Sequence, residues 1–203
     1  SIVTSADQPQ PPPPPQPPQP PLGLLGLLVD MDGVLVDFVS AALRLHDRLE
    51  VLDEWPEGQW DMPEAMGISS REFWRPINEA GAGFWASLEP FPWCDELFEL
   101  VEATGRWCIL TSPSGDPSCA AGKISWLQNR FGRGFRDFLI GPPKWICARP
   151  DQLLIDDNDG NVESFRERGG QAVLFPQPWN LNHRLCGDRM GYLSDELSKA
   201  GPL

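Results

Sequence analysis

Five short apolar runs punctuate the chain, at residues 24–29, 107–110, 138–140, 153–155 and 172–175, and stretches with helical spacing of apolar positions lie between them. Continuous apolar runs predict strands buried on both faces, and their regular interruption by helices predicts an α/β fold with a doubly wound parallel sheet. Asp116 before Pro117 predicts a helix N-cap with proline in the first turn, and Asn158 or Asp159 can cap a helix that ends at Gly169-Gly170. Between Phe38 and Pro92 the alternation stops. That stretch has helical pieces over 40–49 and 69–79, no convincing buried strand, and the aromatics Trp55, Trp60, Phe73, Trp74, Phe84, Trp85 and Phe91. It predicts a small helical insert over the outgoing end of the first strand. The expected division is therefore a core of residues 22–38 and 90–203, a helical cap of residues 39–89, and a Pro-rich tail of residues 1–21.

Residues 9–21 contain only Pro and Gln, which fixes φ, removes amide donors and leaves polyproline II or disorder as the available states. The tail reads as a spacer. No basic residue flanks it to orient an SH3- or WW-type ligand.

The length of 203 residues and 41% hydrophobic content suffice for one domain with a real core. A net charge of −13 argues against stable binding to nucleic acid or to an anionic membrane, both of which would be repelled over most of the surface. The longest apolar run, residues 22–29, is far short of the roughly 20 residues needed to span a bilayer, and it lacks the flanks of a secretory signal. The five cysteines form no CxxC pair, so neither a disulfide framework nor a zinc site is indicated and a cytoplasmic location is expected.

Three apolar runs end in polar clusters: Asp30-Met31-Asp32-Gly33, Thr111-Ser112-Pro113-Ser114 and Asp156-Asp157-Asn158-Asp159. In a parallel sheet the carboxyl ends of the strands share one edge, so the three clusters should converge. Convergence raises an electrostatic problem. Two carboxylates about 4 Å apart repel by roughly 4 kcal/mol at an effective dielectric of ~20, so Asp30, Asp32, Asp156 and Asp157 need compensation. An oxygen-only donor set, without clustered His or Cys, points to Mg²⁺. Asp as a mere helix cap or turn former explains one DxD well, but not carboxylates ending two separate strands.

The run from Val29 to Asp37, VDMDGVLVD, resembles the first motif of the haloacid dehalogenase (HAD) superfamily. Ile109-Leu110-Thr111 resembles its second motif and Leu154-Ile155-Asp156-Asp157 its fourth. DMDGVLVDF, FWASLEPFPW, ILTSPS and LLIDD, in that order, are similar to the 5′-nucleotidase type C group, the 5′(3′)-deoxyribonucleotidases. The resemblance spans residues 25 to 180. It implies a HAD-like fold and an Mg²⁺-dependent phosphomonoesterase acting on nucleoside 5′-monophosphates, with deoxyribonucleotides preferred, through an aspartyl-phosphate intermediate.

The resemblance also implies roles. Asp30 is the expected nucleophile and Asp32 the expected general acid and base. Gly33, Thr111 and Ser112 are expected to cradle the phosphate. The metal is expected on the Asp30 side chain, the Asp32 backbone carbonyl and Asp157, with Asp156 behind them. A lysine is needed to balance phosphate and nucleophile, and the chain has only Lys123, Lys144 and Lys199. Lys144 is preferred, because Gly141-Pro142-Pro143-Lys144 precedes the acidic pair as the nucleotidases' lysine does. Lys123 sits in a predicted helix with Trp126 and Leu127 one turn on. Phe38, Trp74, Phe84 and Trp85 are the candidate base-stacking residues, weighed against a role in the insert's own core, and Ser114 is a further substrate contact. Where mammalian deoxyribonucleotidases carry a basic residue after TSP, this chain has Ser114-Gly115-Asp116, a departure that leaves sugar and phosphate-position preference open. Trp179-Asn180 resembles a family ending and reads as structural, and His46 and His183 receive no catalytic role.

Two other readings compete. One keeps the phosphatase and changes its substrate to another small phosphate ester or a nucleic-acid terminal phosphate. The other is a non-catalytic phosphatase-like module that recruits partners through the Pro-rich tail. Related nucleotidases often pair, so a homodimer is the quaternary expectation, although no feature of the sequence decides it.

Overall fold

The computed structural model describes residues 26–141 and 143–200, so the Pro-rich tail lies outside the described residues. Strand β1 (Gly26–Val29) is followed by helix α1 (Phe38–Leu45), a 3₁₀ segment (Leu49–Glu54) and helices α2 (Met62–Met66), α3 (Ser70–Ala80) and α4 (Ala82–Ala86). Helix α5 (Cys94–Thr104), strand β2 (Arg106–Thr111), helix α6 (Pro117–Phe131) and strand β3 (Phe138–Ile140) come next. Strand β4 (Gln152–Asp156), helix α7 (Asp159–Glu167), strand β5 (Gln171–Leu174) and helix α8 (Arg189–Lys199) complete the described chain. The five strands form one parallel sheet in the order β3-β2-β1-β4-β5. That is the doubly wound α/β arrangement the apolar runs predict.

Side-chain alternation along β1 separates two cores. Leu27 and Val29 join a large cluster on one face with Ile109, Leu153 and Ile155, whereas Leu28, Leu110 and Leu154 meet Val162 and Phe165 of α7 on the other. The insert has no core of its own. Trp55, Met62, Phe73, Ile77, Phe84 and Trp85 belong to the same cluster as Leu27 and Val29. Helix α4 lies tight on α6 at Gly122, where an added Cβ would come within 2.4 Å of Trp85 Cβ and 2.5 Å of the Ala82 carbonyl.

Capping follows the sequence. Asp116 and Asn158 accept from backbone amides at the starts of α6 and α7, and Ser69 forms a capping box with Glu72 at α3. The helix expected over 40–49 is shorter: α1 stops at Leu45, and Asp47 takes a positive φ of 53° before the 3₁₀ segment. Among the described residues all five cysteines are free, and no helix is long and apolar enough to cross a membrane.

Candidate active site

Strand register brings the acidic clusters together. Val29 pairs with Ile109 on one side and Ile155 on the other, so the next residue, Asp30, is level with Asp156 at the carboxyl edge of the sheet. Asp30, Asp156 and Asp157 each offer an oxygen, and these oxygens lie within 4.8 Å of one another. All three residues are buried.

Burial is the largest influence on this cluster. It raises the Asp30 carboxyl to about 7, aided by the charges of Asp156 and Asp32 and opposed by Lys144. Burial, with Asp30 and Asp156, also pushes Asp157 well above the usual carboxylate range, and the Trp179 hydrogen bond only partly offsets it. The Lys144 ammonium sits 2.8 Å from Asp30 Oδ1 and 2.6 Å from Asp156 Oδ2. Burial works against its charge, yet the two aspartates outweigh burial and raise its pKa. Three carboxylates thus share one buried ammonium, and the set is still short of positive charge. A hard divalent cation fits that deficit and the all-oxygen donor set.

The remaining contacts distinguish the three aspartates. Asp156 accepts from Lys144, from the Asn158 amide at 2.8 Å and from Asn161 Nδ2 at 3.2 Å to Oδ2. Asp157 Oδ2 accepts from Trp179 Nε1 at 2.7 Å, while Asn180 Nδ2 holds the Asp157 carbonyl at 2.9 Å. Gly33, with φ of +77°, must be glycine, because an added Cβ would sit 1.9 Å from Asp157 Oδ2. Gln177 Nε2 donates to the Gly33 carbonyl at 2.6 Å and fixes that turn.

Asp32 and Thr111 meet a second lysine. Lys123 Nζ lies 2.7 Å from Asp32 Oδ2, 2.7 Å from Thr111 Oγ1 and 2.8 Å from the Ser112 carbonyl. Lys123 is 0% exposed. The preference for Lys144 over Lys123 therefore needs widening: Lys144 lies at Asp30 and Asp156, and Lys123 lies at Asp32. Its position three and four residues before Trp126 and Leu127, on the apolar face of α6, was the available signal of burial.

A cavity of about 330 Å³ adjoins the cluster through Asp157, and Asp32, Gly33, Phe38, Trp60, Trp74 and Trp179 also line it. Phe38 and Trp74, two of the four candidate stacking residues, line it. Phe84 and Trp85 do not line it. They are 9% and 2% exposed and pack behind Phe38, Trp85 stacking on it at 5.1 Å with an interplanar angle of 7°. A small insert sharing the sheet's core needs its largest rings for packing, which places them away from solvent. Trp60, 46% exposed and not among the stacking candidates, takes a place on the cavity wall. Ser114 is tied through its amide to Cys119 Sγ at 3.3 Å, and its hydroxyl has no partner among the described residues. Trp179, read from the sequence as structural, touches both Asp157 and the cavity.

The family model for the 5′ nucleotidase, deoxy (pyrimidine), cytosolic type C protein matches residues 24–189. No curated protein sequence matches the chain. Among solved structures, a hydrolase from Streptococcus pneumoniae TIGR4 is 16% identical with a TM-score of 0.50, over 80% of this chain and 98% of that one. A hydrolase from Pseudomonas syringae is 19% identical with a TM-score of 0.45, over 80% of this chain and 98% of that one. A HAD family hydrolase from Deinococcus radiodurans R1, with bound phosphate and sodium, is 13% identical with a TM-score of 0.45, over 74% and 80% respectively.

Proposed function

The chain belongs to the 5′ nucleotidase, deoxy (pyrimidine), cytosolic type C protein family of HAD-like hydrolases, and from that premise we propose that it is an Mg²⁺-dependent phosphomonoesterase of nucleoside 5′-monophosphates, deoxyribonucleotides foremost. The observation that carries the reading is the meeting of Asp30, Asp156 and Asp157 within 4.8 Å, with Asp157 also lining an aromatic cavity. Mg²⁺ would be held by the Asp30 side chain, the Asp32 backbone carbonyl and Asp157, with Asp156 behind them. When bound, it supplies the positive charge that lets an anionic nucleophile approach an anionic phosphate.

The chain's own residues do the rest. An Asp30 oxygen attacks phosphorus, and the bond from phosphorus to the ester oxygen breaks as the new one forms. Asp32 gives the departing oxygen its proton. Asp32 then takes a proton from a water molecule that attacks the aspartyl phosphate, which frees inorganic phosphate and restores Asp30. Lys144 holds the phosphate and keeps Asp30 aimed, and Thr111, Ser112 and the Gly33 turn complete the cradle. Phe38 and Trp74 offer flat apolar surface for a base, worth about 1 to 3 kcal/mol per stacked base. That surface favours nucleotides over simple phosphate esters, and the charge of −13 disfavours polynucleotide ends.

The test is phosphate release from a panel of ribo- and deoxyribonucleoside monophosphates, with Mg²⁺ and with chelator. Turnover is expected only with metal and is expected to disappear in Asp30→Asn. Retained turnover in that variant removes the proposed nucleophile.

A further inference from the structure

Lys123 is a buried cation that the phosphatase chemistry above leaves without a task. An ammonium has three protons to donate and accepts none. Here three acceptors take them: Asp32 Oδ2, Thr111 Oγ1 and the Ser112 carbonyl, at 2.7, 2.7 and 2.8 Å. The fourth side is closed by the Trp85 ring, whose centroid is 5.5 Å from Nζ. The lysine is placed there by the close packing of α6 on α4 at the neighbouring Gly122.

Each of these bonds fixes the polarity of its acceptor. Thr111 Oγ1 receives a proton from Lys123, so its own proton cannot point back at the ammonium, and it meets no acceptor among the described residues. Asp32 Oδ2 is taken, and Asp32 Oδ1 is buried without a partner. The lysine is thus flanked by one hydroxyl with a proton to give and one carboxylate oxygen with none to receive. A phosphate monoester brings non-bridging oxygens to accept from the hydroxyl and, when Asp32 is protonated at Oδ1, an ester oxygen to accept that proton.

We propose that Lys123 is a positioning residue of this site, one that turns the Thr111 proton toward the bound phosphate and leaves Asp32 Oδ1 as the oxygen that exchanges a proton with the leaving group. This rests on the phosphomonoesterase reading. In the first half-reaction the phosphorus-to-ester bond breaks as the bond to Asp30 forms, and the proton on Asp32 Oδ1 moves to the ester oxygen. In the second, a water proton moves to Oδ1 as the bond from phosphorus to Asp30 breaks.

The test compares two leaving groups in the full-length protein with Mg²⁺. A nucleoside 5′-monophosphate releases a poor alkoxide that needs a proton, whereas p-nitrophenyl phosphate releases a stabilised phenolate that does not. Lys123→Met is expected to lower kcat on the nucleotide ~100-fold, in the range of a lost general acid, and on p-nitrophenyl phosphate ~10-fold or less. The residual loss on the aryl ester reports Thr111, so adding Thr111→Val to Lys123→Met should lower it little further. Equal losses on both esters, with melting temperature unchanged, overturn the proposal and leave Lys123 a structural ion pair. If the Met variant fails to fold, the same ratio measured on Lys123→Gln decides in the same way. Wild-type protein that releases phosphate from neither ester defeats the underlying reading, whereas an active wild type with equal losses defeats only the role of Lys123.

Discussion

Lys144 Nζ stands 2.8 Å from Asp30 Oδ1 inside the protein, and the same ammonium reaches Asp156 at 2.6 Å. Lys144→Met removes the buried cation at the three-aspartate cluster. Breaking a buried pair by deleting one partner costs about 3 to 5 kcal/mol, so the metal-free variant should unfold at distinctly lower denaturant. Added Mg²⁺ should recover part of that stability but not turnover. Equal unfolding midpoints for variant and wild type in chelator contradict the prediction.

Gly33→Ala should cost both stability and metal binding. Its Cβ would sit 1.9 Å from Asp157 Oδ2, and the backbone there has a φ of +77°. Relief requires Asp157 to move off the cluster. Isothermal titration with Mg²⁺ is the check, and a wild-type affinity in the variant counts against the assignment of Asp157.

Trp179→Phe keeps a ring on Trp55, which it meets at 5.8 Å, and deletes the indole proton given to Asp157. Loss of a partner that orients a metal ligand weakens binding about 10- to 100-fold, and a weakening near 10-fold is expected here. Mg²⁺ titration followed by melting temperature measures it independently of turnover. An unchanged titration would show that Asp157 holds its position unaided.

Asp30 predicts how metal-free stability depends on pH. In the unfolded chain its carboxyl loses the proton near 3.8, and in the fold it keeps it to about 7. Between those values the folded state binds more protons than the unfolded state, so stability falls as pH rises and levels off above the upper value. Asp30→Asn removes this contribution. In chelator, its melting temperature should gain on wild type as pH rises from about 4 to about 7. A gap that stays constant with pH refutes the assignment.

Within the insert, Trp74 and Trp85 should part company. Trp74 lines the cavity, so Trp74→Ala should raise KM for nucleotides several-fold and leave p-nitrophenyl phosphate little changed. Trp85 is fully packed, so Trp85→Ala should destabilise by about 3 to 5 kcal/mol. Reversed outcomes would mean that the base lies elsewhere.

The sheet was legible because each strand carries enough consecutive apolar residues to be buried on both faces, and the convergence of Asp30 with Asp156 follows from parallel register alone. Lys144 was legible by its place before β4. Lys123 was harder: Trp126 and Leu127 one turn on signal burial, but its partners, 91 residues away at Asp32 and at the end of β2, are set only by the fold. Trp179 was obscured for the same reason: its bond to Asp157 spans 22 residues and depends on how the chain returns after β5. Among the aromatics, hydrophobicity separates inside from outside but cannot choose between a ring that floors a cavity, as Phe38 does, and one stacked behind it, as Trp85 is.

The contact at Gly122 restricts how a ligand can get in. With no room for even a methyl group between α6 and α4, the part of the insert carrying Phe84 and Trp85 is packed into the same core as the sheet. Trp60 and Asp61, by contrast, are exposed residues of the cavity wall ahead of the short α2 helix. The pace of product departure should therefore answer to that exposed stretch of wall rather than to the packed seam at α4.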